Sequence, residues 1–134
     1  MSEIEEPLVL VVDNTASIQD MLSYVLKLQG YQPVCTANGQ EALEWIESAQ
    51  RRGQYPRAIL LDLIMPVMNG STFLASLRER WNAPRPIPPI VLLTVQAGNY
   101  DELQCSDVLT KPFHIKDLYE RLNQLIDRPR VAAS

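Results

Sequence analysis

Apolar residues gather in short unbroken runs, separated by stretches in which they recur every three or four positions. The runs are Leu8-Val-Leu-Val-Val12, Ala58-Ile-Leu-Leu61 and Ile90-Val-Leu-Leu93. Continuous apolar segments of this length predict strands buried on both faces, as parallel sheets require. Asp107 to Thr110 reads as a further strand, and so does Tyr31 to Ala37. Pro33 lies inside the latter and cannot donate to a ladder, which assigns that strand to a sheet edge.

Between the runs the period changes. Ile18, Met21, Leu22 and Val25 repeat at helical spacing after Asp13-Asn14-Thr15, which offers capping side chains, and Gly30 stops that helix. Asn38 with Glu41 three residues on marks a second helix start, with Ala42, Trp45, Ile46 and Ala49 as its stripe. Phe73, Leu74, Leu77 and Trp81 mark a third helix. Ile115, Leu118, Tyr119, Leu122, Leu125 and Ile126 mark the last, which Pro129 ends. The stretch Pro84-Arg-Pro-Ile-Pro-Pro89 reads as a stiff connection. Strand and helix thus alternate about five times. The pattern predicts an α/β fold: a doubly wound, five-stranded parallel sheet with helices on both faces and right-handed crossovers.

Composition narrows the function. The chain has 134 residues, 46% of them hydrophobic, which is one domain with a core of its own. The net charge of −4 and the scattered basic residues argue against binding nucleic acid; Arg51-Arg52 and the trio Arg78, Arg80 and Arg85 read as solvated helix ends. No run is long enough to span a membrane, and the acidic start lacks the order of a signal peptide, so a cytoplasmic protein is expected. Cys35 and Cys105 are isolated, without the close spacing of metal or redox pairs, and read as free thiols. His114 is the only histidine, which excludes a two-histidine zinc site. It reads as a solvent-facing residue at a helix start.

The polar residues that end the strands are the informative ones. Asp13, Asp62 and Thr94 each follow a buried apolar run, and Lys111 follows the fifth strand. In an open parallel sheet these carboxyl ends share one edge, where ligands bind at the reversal of strand order. Two adjacent carboxylates repel and favour a cation between them, and hard oxygen ligands suit Mg²⁺. Lys111 adds a point charge for an anion and Thr94 a hydroxyl donor. These are the parts needed to transfer a phosphoryl group onto a carboxylate. Asp62, on the central strand, is the best nucleophile.

Joined in this order, Val11-Val-Asp13, Leu61-Asp62-Leu-Ile-Met-Pro66 with Gly70, Leu93-Thr94 and Lys111-Pro112-Phe113 resemble the receiver domain of two-component response regulators. The likeness covers about Leu8 to Ile126. It implies a flavodoxin-like sheet of order 2-1-3-4-5, a signalling module that is not an enzyme, and phosphorylation of Asp62 by a histidine kinase or phosphotransfer protein. It implies Mg²⁺ facing Asp13, Asp62 and the main-chain carbonyl of Ile64. It further implies that Thr94 binds the phosphoryl oxygen and that Lys111 pairs with Asp62, then with the phosphate. Pro112 is expected to follow a cis bond. Residues 1–7 read as an extension, 8–127 as the receiver and 128–134 as a tail, with no room for an output segment after Ile126.

Several positions depart from the family pattern. Asn14 replaces a second acidic metal ligand; its amide oxygen can ligate Mg²⁺ but brings no charge, so weaker binding is expected. Val95 follows Thr94 where a small residue is usual, and its branched side chain is expected to restrict the site. Val108 stands where many members carry an aromatic switch residue. Only one or two turns of a fourth helix, about Tyr100 to Gln104, fit between Thr94 and Lys111. Altered contacts, a homodimer through the face of the fourth and fifth helices included, are therefore expected. These departures support an alternative, a pseudo-receiver that works by protein contacts without phosphate, whereas Asp62, Thr94 and Lys111 oppose it. A phosphatase with an aspartate nucleophile would need an acid at Ile64, and a nucleotide enzyme a glycine-rich loop after the first strand, which Asp13-Asn-Thr-Ala-Ser17 does not provide.

Overall fold

The structure, a computed structural model, describes residues 6–63, 65, 67–82, 84–95 and 98–126. The strands are β1 (Leu8–Val12), β2 (Gln32–Thr36), β3 (Ala58–Asp62), β4 (Ile90–Thr94) and β5 (Asp107–Thr110). The helices are α1 (Ala16–Leu28), α2 (Gly39–Arg51), α3 (Gly70–Arg80) and α4 (Ile115–Leu125). All five strands are parallel, in the order β2-β1-β3-β4-β5. Pro33 is accommodated as expected, because β2 is an edge strand that pairs only with β1.

Side chains alternate across the sheet, so each apolar run feeds two cores. Val9, Val11, Leu60, Val91 and Leu93 face α1 and α4 together with Leu22, Leu26, Leu118 and Leu122. Leu10, Val12, Ile59, Leu61 and Leu92 face α2 and α3 with Leu43, Ile46, Phe73 and Leu77. This double burial is why the runs are apolar at every position.

Helix starts differ in detail from the expectation. Asn38 and Asn69 cap α2 and α3 by accepting from the main-chain N–H of Glu41 (2.9 Å) and Thr72 (3.0 Å). Thr15 precedes α1 but makes no side-chain cap; the Asp13 carboxylate accepts the Thr15 N–H instead, at 2.9 Å. Of the three side chains that could cap this helix, that of Asp13 is bound into the strand-end cluster through Lys111. The expected fourth helix is a single 3-10 turn, Asp101–Leu103. Arg78 of α3 donates to the carbonyls of Leu103 and Gln104 and holds that turn in place, so it is more than a solvated helix end. Arg80 pairs with Glu47 of α2. The thiols of Cys35 and Cys105 are free. Partial burial of each sulfur pushes both above the usual range, Cys105 in spite of nearby Arg78, so neither has the character of a reactive thiolate. Among the described residues no helix is long and apolar enough to cross a membrane.

Candidate functional site

Register explains how four distant residues come together. Val12 lies opposite Leu61, so Asp13 and Asp62 leave adjacent strands side by side. Asp62 is opposite Leu93, which puts Thr94 one step further on. Thr94 is opposite Thr110, and Lys111 follows directly, its main-chain N–H donating to the Thr94 carbonyl. Strand order reverses between β1 and β3, so helices leave to opposite faces and open a crevice at this edge.

Charge closes the cluster. Asp13 is completely buried, and Asp62 and Thr94 are buried at 9% and 4% exposure. The Lys111 ammonium lies 2.8 Å from the Asp13 carboxylate and 3.8 Å from that of Asp62. It therefore spans both acids, with its hydrogen bond going to the deeper one. The likeness had implied a pairing with Asp62 first; the fully desolvated carboxylate has the greater need of a counter-charge. Two carboxylates against one ammonium leave the cluster one negative charge in excess, which fits a divalent cation with oxygen ligands. Asn14, exposed beside Asp13, can add an amide oxygen. Among the described residues no three Asp, Glu, His or Cys side chains group as a metal site. Ile64 lies outside the described residues. The Lys111-Pro112 peptide bond is cis.

The positions of departure also find places. Val95 is 65% exposed, so most of its side chain is in solvent and does not fill the site. Val108 packs with Leu103 and Tyr100 against the α2–α3 core. The aromatic ring near the site comes from Tyr100, whose hydroxyl lies 3.4 Å from that of Thr94 and whose ring would touch a Cβ placed on Gly98. Sequence reasoning missed this residue. The signal was the short span after Thr94, which leaves residue 100 no distance to travel. It also missed Gln19, whose amide donates to the carbonyls of Asp13 and Thr36 and ties the ends of β1 and β2 together.

Backbone strain accompanies the site. Val67, in the loop after Asp62, has φ 67° and is 83% exposed. A β-branched residue pays most for the left-handed conformation, and asparagine tolerates it. Val67→Asn is expected to stabilise the protein by about 0.5–1 kcal/mol in urea denaturation. An unchanged or lower midpoint would contradict the assigned strain.

Comparison with known proteins agrees with this geometry. The family description "Response regulator receiver domain" matches residues 9–123. The alkaline phosphatase synthesis transcriptional regulatory protein PhoP of Bacillus subtilis is 31% identical over 93% of this chain and 50% of its own length. The transcriptional regulatory protein CpxR homolog of Haemophilus influenzae is 31% identical over 89% of this chain and 50% of its own. The chain thus spans about half the length of these curated relatives. Among solved structures, chemotaxis protein CheY4 of Vibrio cholerae superposes with a TM-score of 0.76 at 28% identity, covering 90% of this chain and 99% of that one. The receiver domain of Francisella response regulator 1452 gives 0.76 at 27% identity, covering 90% and 96%. With the sheet order, the strand-end acids and the bridging lysine in place, the chain belongs to the response regulator receiver family of two-component signalling.

Proposed function

We propose that Asp62 is the phosphoryl acceptor of a phosphorelay, with residues 8–127 as the receiver unit and a histidine kinase or phosphotransfer protein as donor. The observation that carries this reading is the Lys111 ammonium spanning Asp13 and Asp62 at a buried sheet edge. An Asp62 carboxylate oxygen attacks the phosphorus of a phosphohistidine. The phosphorus–nitrogen bond breaks, and its electron pair leaves on the imidazole. Asp62 then carries an acyl phosphate. Lys111 and the Thr94 hydroxyl bind its oxygens, which replace the lost carboxylate charge as partners. Asp13, Asp62, the Asn14 amide and the Ile64 carbonyl would hold Mg²⁺, which supplies neutralisation of the phosphoryl charge when bound. The rest is positioning, and the unit acts as a switch rather than an enzyme turning over substrate. The phosphoryl group biases the loops after β3 and β4, and through them the face of the Asp101–Leu103 turn and α4, where a partner or a second copy docks.

Amide NMR tests this reading. Addition of beryllofluoride with Mg²⁺ is expected to shift resonances around Asp62, Thr94 and Lys111 and on the Asp101–Leu103 turn, and Asp62→Asn is expected to lose the response. A silent spectrum of the unmodified chain would point to a phosphate-independent interaction module instead.

Two variants probe the departures. Asn14→Asp adds a carboxylate at an exposed position, where screened attraction is worth about 1 kcal/mol or slightly more. Mg²⁺ affinity is expected to rise roughly tenfold, while the metal-free protein loses some stability to the added repulsion. Calorimetry showing equal affinities would refute the weak-metal reading. Tyr100→Phe removes the hydroxyl beside Thr94, a contact worth about 0.5–1 kcal/mol. One competitor for the Thr94 hydroxyl is then gone, and beryllofluoride affinity is expected to rise about two- to fivefold. Weaker binding would show that Tyr100 supports the ligand rather than competing with it.

A further inference from the structure

The edge of the sheet opposite Asp62 carries a second concentration of charge. A cleft of about 550 Å³ opens at the amino ends of β1, β2 and β3, against Leu8, Gln32 and Arg57. Three arginines from separate elements line it: Arg52 at the end of α2, Arg57 just before β3, and Arg85 in the connection before β4. Among the described residues, Glu6 is the only acid in the lining. This convergence occurs in a chain of net charge −4, so it is a local reversal of the overall field.

Two of the arginines, Arg52 and Arg85, are held by neutral groups. The Arg52 guanidinium donates to the Ser48 hydroxyl at 2.6 Å and to the Gln54 side-chain oxygen at 3.3 Å. The Arg85 guanidinium sits over the Tyr55 ring, 4.6 Å from its centroid. Tyr55 in turn packs on Trp81 at 6.5 Å, and the Trp81 indole N–H donates to the Arg85 carbonyl at 2.7 Å. The Arg57 main-chain N–H donates to Leu8 at 2.7 Å, which fixes its origin at the sheet. Neutral partners orient the forks of Arg52 and Arg85 without cancelling their charge. Like charges around one cleft repel, and an anion placed among them relieves the repulsion. Fixing the donors beforehand reduces the entropy lost on binding.

We propose that this cleft is a binding site for a small molecule carrying two or more phosphate groups, gripped by Arg52, Arg57 and Arg85. Guanidinium forks match phosphate oxygens bidentately, and three forks from three directions suit an anion with several charged centres. The volume falls in the range of small-molecule sites. The site lies at the opposite end of the strands from Asp62 and does not depend on the phosphorelay reading.

The test uses the full chain without Mg²⁺, titrated with inorganic pyrophosphate and, separately, with ADP. The readouts are the amide resonances of Gly53, Gln54 and Arg57 and the Trp81 indole N–H. Saturable shifts with a dissociation constant below roughly 1 mM at low salt are expected. They should weaken about tenfold or more in Arg52→Gln/Arg85→Gln and persist in Asp62→Asn. All three arginines are exposed, so the double variant should keep its fold, as unchanged resonances in β3 and β4 would verify. Absence of saturation would overturn the proposal. So would shifts confined to Thr94 and Lys111 that vanish in Asp62→Asn. An acidic peptide that binds the cleft and is not displaced by pyrophosphate would overturn it too, by assigning the cleft to a protein partner.

Discussion

Lys111→Met is expected to lower stability by roughly 3 kcal/mol and to abolish the response to beryllofluoride. The lysine side chain is 15% exposed and its partner Asp13 is completely buried. Removing one member of a buried pair leaves the other charged and desolvated, which costs about 3–5 kcal/mol, more than the pair itself is worth. Water reaching the shallower Asp62 carboxylate favours the lower end of that range. For a domain of this size, the midpoint of thermal unfolding should fall on the order of 10 °C. Mg²⁺ should restore part of the loss, because a cation among the carboxylates substitutes for the missing ammonium. The metal-induced rise in midpoint should therefore be larger in Lys111→Met than in the unmodified chain. Equal rises would mean that the two acids do not share one cation site. The functional loss has a separate cause. A phosphoryl group on Asp62 brings negative charge into an acidic pocket, and a fixed positive group there is worth about 10²–10³ in rate.

Gly70→Ala is expected to be the second most damaging substitution outside the reacting groups. A Cβ at this position would lie 2.9 Å from the Asp62 carbonyl oxygen and 2.9 Å from the Leu63 Cα. Gly70 also donates its N–H to Leu63 at 2.8 Å, so the helix start and the strand end are in direct main-chain contact. Two effects oppose each other. Alanine favours helix over glycine by up to about 1 kcal/mol, less in a first turn. The overlap is with main-chain atoms, which cannot swing aside, and such overpacking costs about 1–3 kcal/mol. The overlap should win, lowering stability by about 1–2 kcal/mol in urea denaturation. The displaced atoms are the Asp62 carbonyl oxygen and the Leu63 main chain bonded to it, so phosphorylation should slow as well, on the order of tenfold or more, since small misplacements at a reacting group are costly. A stabilised variant with an unchanged rate would show that the contact is looser than these distances indicate.

Much of this was legible in the sequence. β1 ends with its apolar run at Val12, and β3 and β4 end one polar residue past theirs, at Asp62 and Thr94, because burial on both faces demands apolar residues until the sheet reaches its edge. The edge position of β2 followed from the missing donor of Pro33. The shortening of the helix after β4 followed from chain length alone. What could not be read was the pairing within the cluster. Whether Lys111 bonds Asp13 or Asp62 depends on relative depth, which periodicity does not encode. Thr15 had the residue type of a cap, yet its side chain makes no cap bond; the carboxylate at this end of α1 is that of Asp13, which accepts the Thr15 N–H. Tyr100 and the three arginines of the lower cleft come from loops and element ends, where no repeat links position to direction.

The central claim is that residues 13, 62, 94 and 111 form one acceptor site with Asp62 as its nucleophile. Incubation with acetyl phosphate and Mg²⁺, followed by borohydride trapping and peptide mapping by mass spectrometry, tests it most directly. The modification should map to Asp62, require Mg²⁺ and vanish in Asp62→Asn. No incorporation, or incorporation that survives in Asp62→Asn, would contradict it.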